Sequence, residues 1–134
     1  QAQITKCQTE VDQILARKKI TFRSGSAYVS PVSNQILDEV AAALKPCGGL
    51  AIAVGGHTDS NGDAGVNKTM SQERADRVRQ GLIDRGIAEN LITATGYGSE
   101  KPLAEGTGAS TDAQNRRIEF KIQANSGASA PQGG

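Results

Sequence analysis

Short strand-like runs alternate with longer helix-like patterns along most of the chain. Four runs are apolar or alternating and are bounded by turn-forming residues: "KKITF", "LAIAVGG", "LITATGYG" and "NRRIEFKI". Two amphipathic helical patterns lie between them, one over residues 31–44 and one that begins within 67–71 and ends at Gly86. Because each element must bury one apolar face, this order predicts an α/β fold (an α+β sandwich) with helices packed on a mixed four-stranded sheet whose last strand is antiparallel.

The two ends of the chain differ from this alternating region. Residues 4–15 carry one apolar helical stripe, so residues 1–17 are predicted to form an N-terminal helical extension. Residues 125–134, "NSGASAPQGG", have no charge and no large apolar side chain, which is typical of a disordered tail or linker. The predicted organisation is therefore an extra N-terminal helix (1–17), one folded domain (18–123) and a disordered tail (124–134).

The composition argues against several classes of function. A net charge of +1 and 3% aromatic residues do not fit a nucleic-acid binder. No run of about 18 apolar residues exists, so no membrane span is predicted. No phosphate-binding loop, dinucleotide fingerprint or nucleophile elbow is present, so no cofactor is predicted. The chain begins at Gln1 without a visible signal peptide, and a membrane tether in a missing N-terminal region stays open.

Residues 59–63 resemble the opening of a calcium loop. Asp59, Asn61 and Asp63 occupy the first, third and fifth positions of an EF-hand. That loop also needs Gly at its sixth and Glu at its twelfth position, where this sequence has Ala64 and Met70. The ligand set is therefore incomplete, and we predict no calcium site.

His57 is the only histidine of the sequence, and both cysteines lie far from it along the chain. One histidine with one or two nearby carboxylates is too few ligands for a zinc site. We therefore predict no metal site and interpret His57 as a residue at the end of a strand. An enzyme that depends on His57 stays as one functional alternative.

Arg74 is an unusual residue in the second long helical pattern. It shares an apolar stripe with Met70 and Val78, and it lies in the first turns, where the helix dipole disfavours a cation. Such an arginine needs an anionic partner, and Asp59 at the end of the preceding strand is the candidate. Either the two form a plain ion pair that holds the loop, or they line an open pocket for a zwitterion, with helix-start amides adding to anion binding.

The residues alone leave two further questions open. Arg116 and Arg117 are either solvated beside Glu119, or one of them lines the same pocket as Arg74. Cys7 and Cys47 are either two buried thiols or one disulfide, which would stabilise the fold by roughly 4 kcal/mol in the chain-entropy model.

Several motifs, in order and at suitable spacing, resemble the OmpA-like C-terminal domain family: "GGHTDSNGDAGVNKTMSQERADRVRQGL", "TGYGSEKPLA" and "NRRIEF". The upstream "ITFRSGSAYVSPVSNQILDEVAAAL" is similar to the family's first strand and helix, so the resemblance covers roughly residues 18–123. The family includes the periplasmic part of outer-membrane protein A, the peptidoglycan-associated lipoprotein and flagellar stator proteins. The resemblance implies a β-α-β-α-β-β domain that binds peptidoglycan without cleaving it and so anchors the cell envelope to the cell wall.

The resemblance also implies roles for individual residues. Asp59 of the HTD motif and Arg74 are implied to grip the diaminopimelate of the stem peptide. Supporting roles are implied for four more residues: Thr58, Asn61, Asn67 and Arg116. The implied location is the periplasm or cell envelope, associated with the outer membrane if the full-length protein has an anchor. A location outside the cytoplasm favours the Cys7–Cys47 disulfide.

The sequence departs from the family pattern at two places. Ala27 stands where the family often has an asparagine in the loop after the first strand, which removes one possible ligand contact. Thr111-Asp112 stands at the family's Gly-Arg, which places an acid where the family has a base. The runner-up function is a structural or protein-interaction module of the envelope that has lost peptidoglycan binding, in which Asp59 and Arg74 form only an internal ion pair.

Overall fold

The structure is a computed structural model that describes residues 2–22, 27–100 and 115–124. Within these ranges the chain forms three α-helices and three β-strands. In chain order they are α1 (Ala2–Arg17), α2 (Pro31–Leu44), β1 (Ala51–His57), α3 (Ala64–Asp84), β2 (Ile92–Gly98) and β3 (Arg117–Gln123). Short 3₁₀ turns follow α2 at Lys45–Cys47 and precede β2 at Glu89–Leu91.

The strands form one mixed sheet in the order β2-β1-β3. β1 is parallel to β2, which requires the crossover that α3 supplies, and antiparallel to β3. The pairing with β2 shifts between Gly56 and His57, and Tyr97 lies between the two paired positions Gly96 and Gly98. The predicted α/β class, with helices on a mixed sheet, is confirmed.

The predicted fourth strand is not confirmed, since the described part of the chain contains a three-stranded sheet. In the run "KKITF", Phe22 forms only an isolated antiparallel bridge with Val29. The backbone N–H of Thr21 donates to Ser33 Oγ (2.8 Å), and the carbonyl of Thr21 accepts from the Ser30 N–H (3.0 Å). The start of α2 thus satisfies backbone groups that would otherwise pair with a neighbouring strand.

The first helix is joined to the rest of the domain by covalent and polar contacts. Cys7 and Cys47 form a disulfide with Cα atoms 6.4 Å apart. Gln8 reaches the outer edge of β3, where its side chain donates to the carbonyl of Phe120 and accepts from the N–H of Ile122, both at 2.8 Å. The helix therefore covers part of an edge that would otherwise present open backbone groups. Apart from Ala124, the predicted tail lies outside the described residues.

The third helix starts earlier than the predicted range 67–71. It begins at Ala64 because Asp63 is the N-cap, and Asp63 Oδ2 accepts from the Val66 N–H at 2.9 Å. The helix lies directly on the backbone of β1 and β2: a Cβ added at Gly56 or at Gly96 would stand 2.3 Å from the nearest α3 backbone atom. This close approach places the first turns of α3 beside the end of β1.

The core is continuous from α1 and α2 to the sheet-facing side of α3. Its largest fully buried side chains include Val11, Ile36, Val40, Val54, Val78 and Leu82. In the segments that the structure describes, none of the helices has the length and apolar character needed to cross a bilayer.

Candidate ligand-binding site

A cleft of about 370 Å³ lies at the end of β1. Four parts of the chain line it: the segment before α2, the end of β1, the first half of α3 and the start of β3. Its volume falls within the roughly 300–1,000 Å³ typical of small-molecule pockets. Four lining side chains are cationic, namely Lys19, Arg74, Arg116 and Arg117. The cleft therefore favours an anionic group.

Asp59 lies immediately after β1, with a side chain that is 13% exposed. Its Oδ1 accepts from the backbone N–H of Asn61 (3.0 Å), and its Oδ2 accepts from Arg116 Nη1 (2.6 Å). Among the described residues no ion pair joins Asp59 to Arg74, so the plain Asp59–Arg74 ion pair considered above is wrong. Arg116 takes that place because β3 pairs antiparallel with β1 and brings residues 57 positions apart to the same end of the sheet.

Arg74 reaches the cleft from α3, and its guanidinium carbon lies 4.9 Å from the centroid of the Phe22 ring. This contact places the cation over an aromatic face, which is an attractive arrangement. Partial burial lowers the pKa of the Arg74 guanidinium, and the positive charge of Arg116 lowers that pKa further. Arginine stays protonated in proteins, so Arg74 is a half-buried cation that an anion in the cleft would stabilise.

The other three candidate residues shape the loop that carries Asp59. Thr58 donates its backbone N–H to the Gly98 carbonyl and its hydroxyl to the Asp59 carbonyl, both at 2.8 Å. Asn67, on α3, donates through Nδ2 to the Asn61 carbonyl at 2.8 Å. These contacts tie the loop to β2 and to α3. Of the predicted set, Arg74 and Arg116 line the cleft, and Asp59 is linked to it through its contact with Arg116. Thr58, Asn61 and Asn67 do not line the cleft; they hold the loop that carries Asp59.

The helix-start amides that were expected to add to anion binding are partly occupied. The Val66 N–H donates to Asp63 Oδ2 and the Asn67 N–H donates to the Asp63 carbonyl, both at 2.9 Å. The acidic N-cap therefore serves the helix and takes up donors that a ligand would have used.

Two residues of the cleft, Lys19 and Phe22, were not identified from the sequence. Both precede α2 and line the same cleft as Arg74 only because of the tertiary fold. The alternation of Ile20 and Phe22 put the ring on one face of a run, but that pattern gave no sign of a partner across the cleft. Ala27 lies elsewhere, in a groove with Tyr28 and Arg77, and residues 111–112 lie outside the described ranges.

His57 lies at the floor of the cleft and is buried. Its ring stacks on Tyr97 with centroids 5.1 Å apart, and its Nε2 is 3.5 Å from Glu119 Oε1. Across residues 2–22, 27–100 and 115–124, no three His, Cys, Asp or Glu side chains are grouped to hold a metal ion. The described contacts of His57 are those of a packed strand-end residue.

Comparison with known proteins places these features in a family. The model of the OmpA family matches residues 21–116. The chain is 39% identical over 103 residues to the probable lipoprotein YiaD of Escherichia coli K12, covering 77% of this chain and 47% of YiaD. It is 35% identical over 103 residues to the peptidoglycan-binding protein ArfA of Mycobacterium tuberculosis H37Rv, covering 77% of this chain and 32% of ArfA. The chain thus spans less than half the length of these two relatives.

The fold is also similar to solved structures. The peptidoglycan-associated lipoprotein of Burkholderia pseudomallei superposes with a TM-score of 0.72 at 32% identity, covering 82% of this chain and 93% of that one. The family match spans β1, α3 and most of the residues that line the cleft. The chain belongs to the OmpA family.

Proposed function

We propose that this domain binds peptidoglycan non-covalently and anchors the cell envelope to the cell wall. The observation that carries the proposal is the cleft lined by a half-buried Arg74, placed over Phe22, and by Arg116, which pairs with Asp59. Two similar proteins also support the proposal: one is named as a peptidoglycan-binding protein, and the other is named as a peptidoglycan-associated lipoprotein.

The proposed ligand group is the diaminopimelate of the stem peptide. Its side chain ends in an ammonium and a carboxylate on the same carbon. A site that binds it therefore needs one carboxylate side chain and one cationic side chain. Arg74 binds the carboxylate through its rigid fork of N–H donors, and Asp59 accepts from the ammonium. Lysine lacks this carboxylate and leaves the Arg74 contact unmade, which makes the site selective against lysine-type stem peptides.

Ligand binding in this arrangement changes the role of Arg116. Asp59 Oδ2 already accepts from Arg116, whereas Oδ1 accepts from the Asn61 N–H. The ligand ammonium either shares Oδ2 with Arg116 or displaces it. The Arg116 side chain is 49% exposed, so it can turn towards solvent with little loss of packing.

The proposed role is binding by charge pairing, with no covalent step and no cofactor. The proposed location is the periplasm or cell envelope, at the outer membrane where a longer protein supplies an anchor. The Cys7–Cys47 disulfide supports an oxidising compartment.

Retention on insoluble peptidoglycan tests the proposal. Asp59→Ala and Arg74→Ala are each expected to weaken binding to diaminopimelate-type material roughly 10- to 100-fold, because each removes a charge-assisted contact. Arg77→Ala is the matched control: it removes an arginine of the same helix that contacts Tyr28 outside the cleft. Lysine-type peptidoglycan should be retained poorly by the wild-type chain.

Two results would contradict the proposal. Undiminished retention of both folded variants would remove Asp59 and Arg74 from the site. A wild-type chain that does not bind cell-wall material at all would favour the alternative, a structural or protein-interaction module of the envelope.

A further inference from the structure

Arg116 lies between Asp59 and the open space of the cleft. Arg116 is among the residues that line the cleft, whereas Asp59 is not. The Asp59 side chain is 13% exposed, and its Oδ2 accepts from Arg116 Nη1 at 2.6 Å. The carboxylate that is proposed to accept from the ligand ammonium is therefore covered by a guanidinium of the same chain.

The other oxygen of Asp59 offers no easier approach. Its Oδ1 accepts from the Asn61 backbone N–H at 3.0 Å, and Asn67 holds that part of the loop by donating to the Asn61 carbonyl. A carboxylate can accept more than two hydrogen bonds, so bonding capacity does not limit a further donor. Access limits it, because loop backbone lies on one oxygen and the Arg116 side chain lies on the other.

The two members of this ion pair differ in how firmly they are held. The Asp59 carbonyl accepts from the Thr58 hydroxyl at 2.8 Å, and its side chain is bound to the loop backbone. The Arg116 side chain is 49% exposed, and arginine has many accessible rotamers. The backbone around it is anchored, because Asn115 and Ile118 are buried. Arg116 can therefore turn away while Asp59 stays in place.

The charge of Arg116 also acts against a second cation at the same oxygen. Burial lowers the pKa of the Arg74 guanidinium, and the charge of Arg116 lowers that pKa further. A ligand ammonium that shared Oδ2 with Arg116 would meet the same repulsion at a shorter distance. An ion pair with a half-exposed member contributes little to stability, because solvent screens it. Displacement of Arg116 is thus the easier route to Asp59.

We propose that Arg116 closes the acid subsite of the free protein, and that the ligand ammonium binds Asp59 only by displacing the Arg116 guanidinium. This inference rests on the proposed function and deepens it, because it assigns an internal competitor to one of the two diaminopimelate contacts. The contact of Arg74 with the ligand carboxylate is not subject to this competition. A variant that lacks the competing guanidinium therefore gains affinity only for ligands that carry the ammonium.

Two soluble peptides isolate the contact of the ligand ammonium. The first is N-acetyl-L-Ala-γ-D-Glu-meso-diaminopimelate. The second has 2-aminopimelate in place of diaminopimelate, so it keeps the side-chain carboxylate and lacks the side-chain ammonium. Titration calorimetry of Arg116→Gln should show roughly fivefold tighter binding of the first peptide than wild type, about 1 kcal/mol. The second peptide should bind no more tightly than it does to wild type.

Two further variants link this gain to Asp59. In an Asp59→Ala background, Arg116→Gln should give no gain for the first peptide, because the ion pair is already absent. Lys121→Gln is the matched control. Lys121 is exposed on β3 and does not line the cleft, so its substitution removes one positive charge near the same strand and should leave both affinities as in wild type.

A measurement on the wild-type chain does not depend on any variant. NMR of the arginine side-chain nitrogens in isotope-labelled protein follows the Arg116 guanidinium during titration with each peptide. The first peptide should move the Arg116 signals towards those of a solvent-exposed arginine, and the second should leave them unchanged. Unchanged Arg116 signals at saturation with the first peptide overturn the inference.

The contrary calorimetric results have separate meanings. Weaker binding of both peptides by Arg116→Gln would make Arg116 a direct ligand contact and overturns the displacement. An equal gain for both peptides also overturns it, because that gain would not involve the ligand ammonium. Both results leave the diaminopimelate site standing. Absence of any peptide binding by wild type overturns the proposed function together with this inference.

Discussion

Gly96→Ala is expected to push α3 away from the sheet and so to lower the free energy of unfolding. A Cβ at residue 96 would stand 2.3 Å from the backbone N of Gln72, 2.5 Å from its Cα and 2.7 Å from Ser71 Oγ. Gln72 is also held in place, because its Oε1 accepts from the Gly96 N–H (2.7 Å) and its Nε2 donates to the Ala94 carbonyl (3.0 Å). The clash is with helix backbone, so no rotation of a side chain relieves it.

The size of the effect follows from these distances. The closest contact must lengthen from 2.3 Å to at least 3.0 Å before it reaches values that real Cβ atoms show. Ser71 and Ala75, the neighbouring buried residues of α3, are 1% and 0% exposed, so the helix has to move against a packed core. Overpacking of this kind typically costs 1–3 kcal/mol, and we expect about 3 kcal/mol here because backbone meets backbone.

Urea unfolding followed by far-ultraviolet circular dichroism measures this loss. Gly48→Ala is the matched control, since its nearest added contact is at 3.9 Å and its φ of −50° is open to alanine. That variant should match the wild-type free energy of unfolding or exceed it by about 0.5 kcal/mol. A Gly96→Ala variant within about 1 kcal/mol of the Gly48→Ala variant would refute the close-packing argument.

Three further variants test other contacts. Replacing Cys7 and Cys47 together by alanine should lower the free energy of unfolding by about 4 kcal/mol, because the bridge closes a loop with a sequence separation of 40. Gln8→Ala should cost about 1–2 kcal/mol in the same urea measurement, because it removes two hydrogen bonds to the edge of β3. Phe22→Leu should weaken peptidoglycan retention roughly fivefold, about 1 kcal/mol, because Arg74 loses its aromatic face.

Each of these variants has a control in the same chain. Chemical reduction of the wild-type disulfide should reproduce the stability loss of the double cysteine variant, and unchanged unfolding after reduction would contradict the prediction. Gln13→Ala, exposed on the same helix, should have little effect on unfolding. Tyr28→Leu removes a similar contact to Arg77 outside the cleft, so equal retention losses for Phe22→Leu and Tyr28→Leu would argue against a specific role of the Phe22 ring.

Local patterns in the sequence predicted the elements well where burial alone decides them. The stripe that includes Val78 and Leu82 and the alternation of Ile118, Phe120 and Ile122 match the buried positions of α3 and β3. The early start of α3 was missed because Asp63 was considered as a metal ligand rather than as a helix cap. The run "KKITF" has a strand pattern, but strand formation also needs a partner edge, and the start of α2 binds the Thr21 backbone instead.

The sequence by itself determined the class of the fold and the two residues proposed to bind the ligand. Burial periodicity is local, and an arginine beside an apolar stripe is visible within one helix, so both can be found along the chain. The helix-dipole part of the argument for Arg74 was wrong, because α3 begins at Ala64 and Arg74 lies at its middle. Only the tertiary structure decided that Arg116 pairs with Asp59, that Phe22 lies under Arg74 and that Lys19 joins the same cleft. These contacts join residues about 50 or more positions apart, and their energies depend on through-space distances that no local pattern encodes.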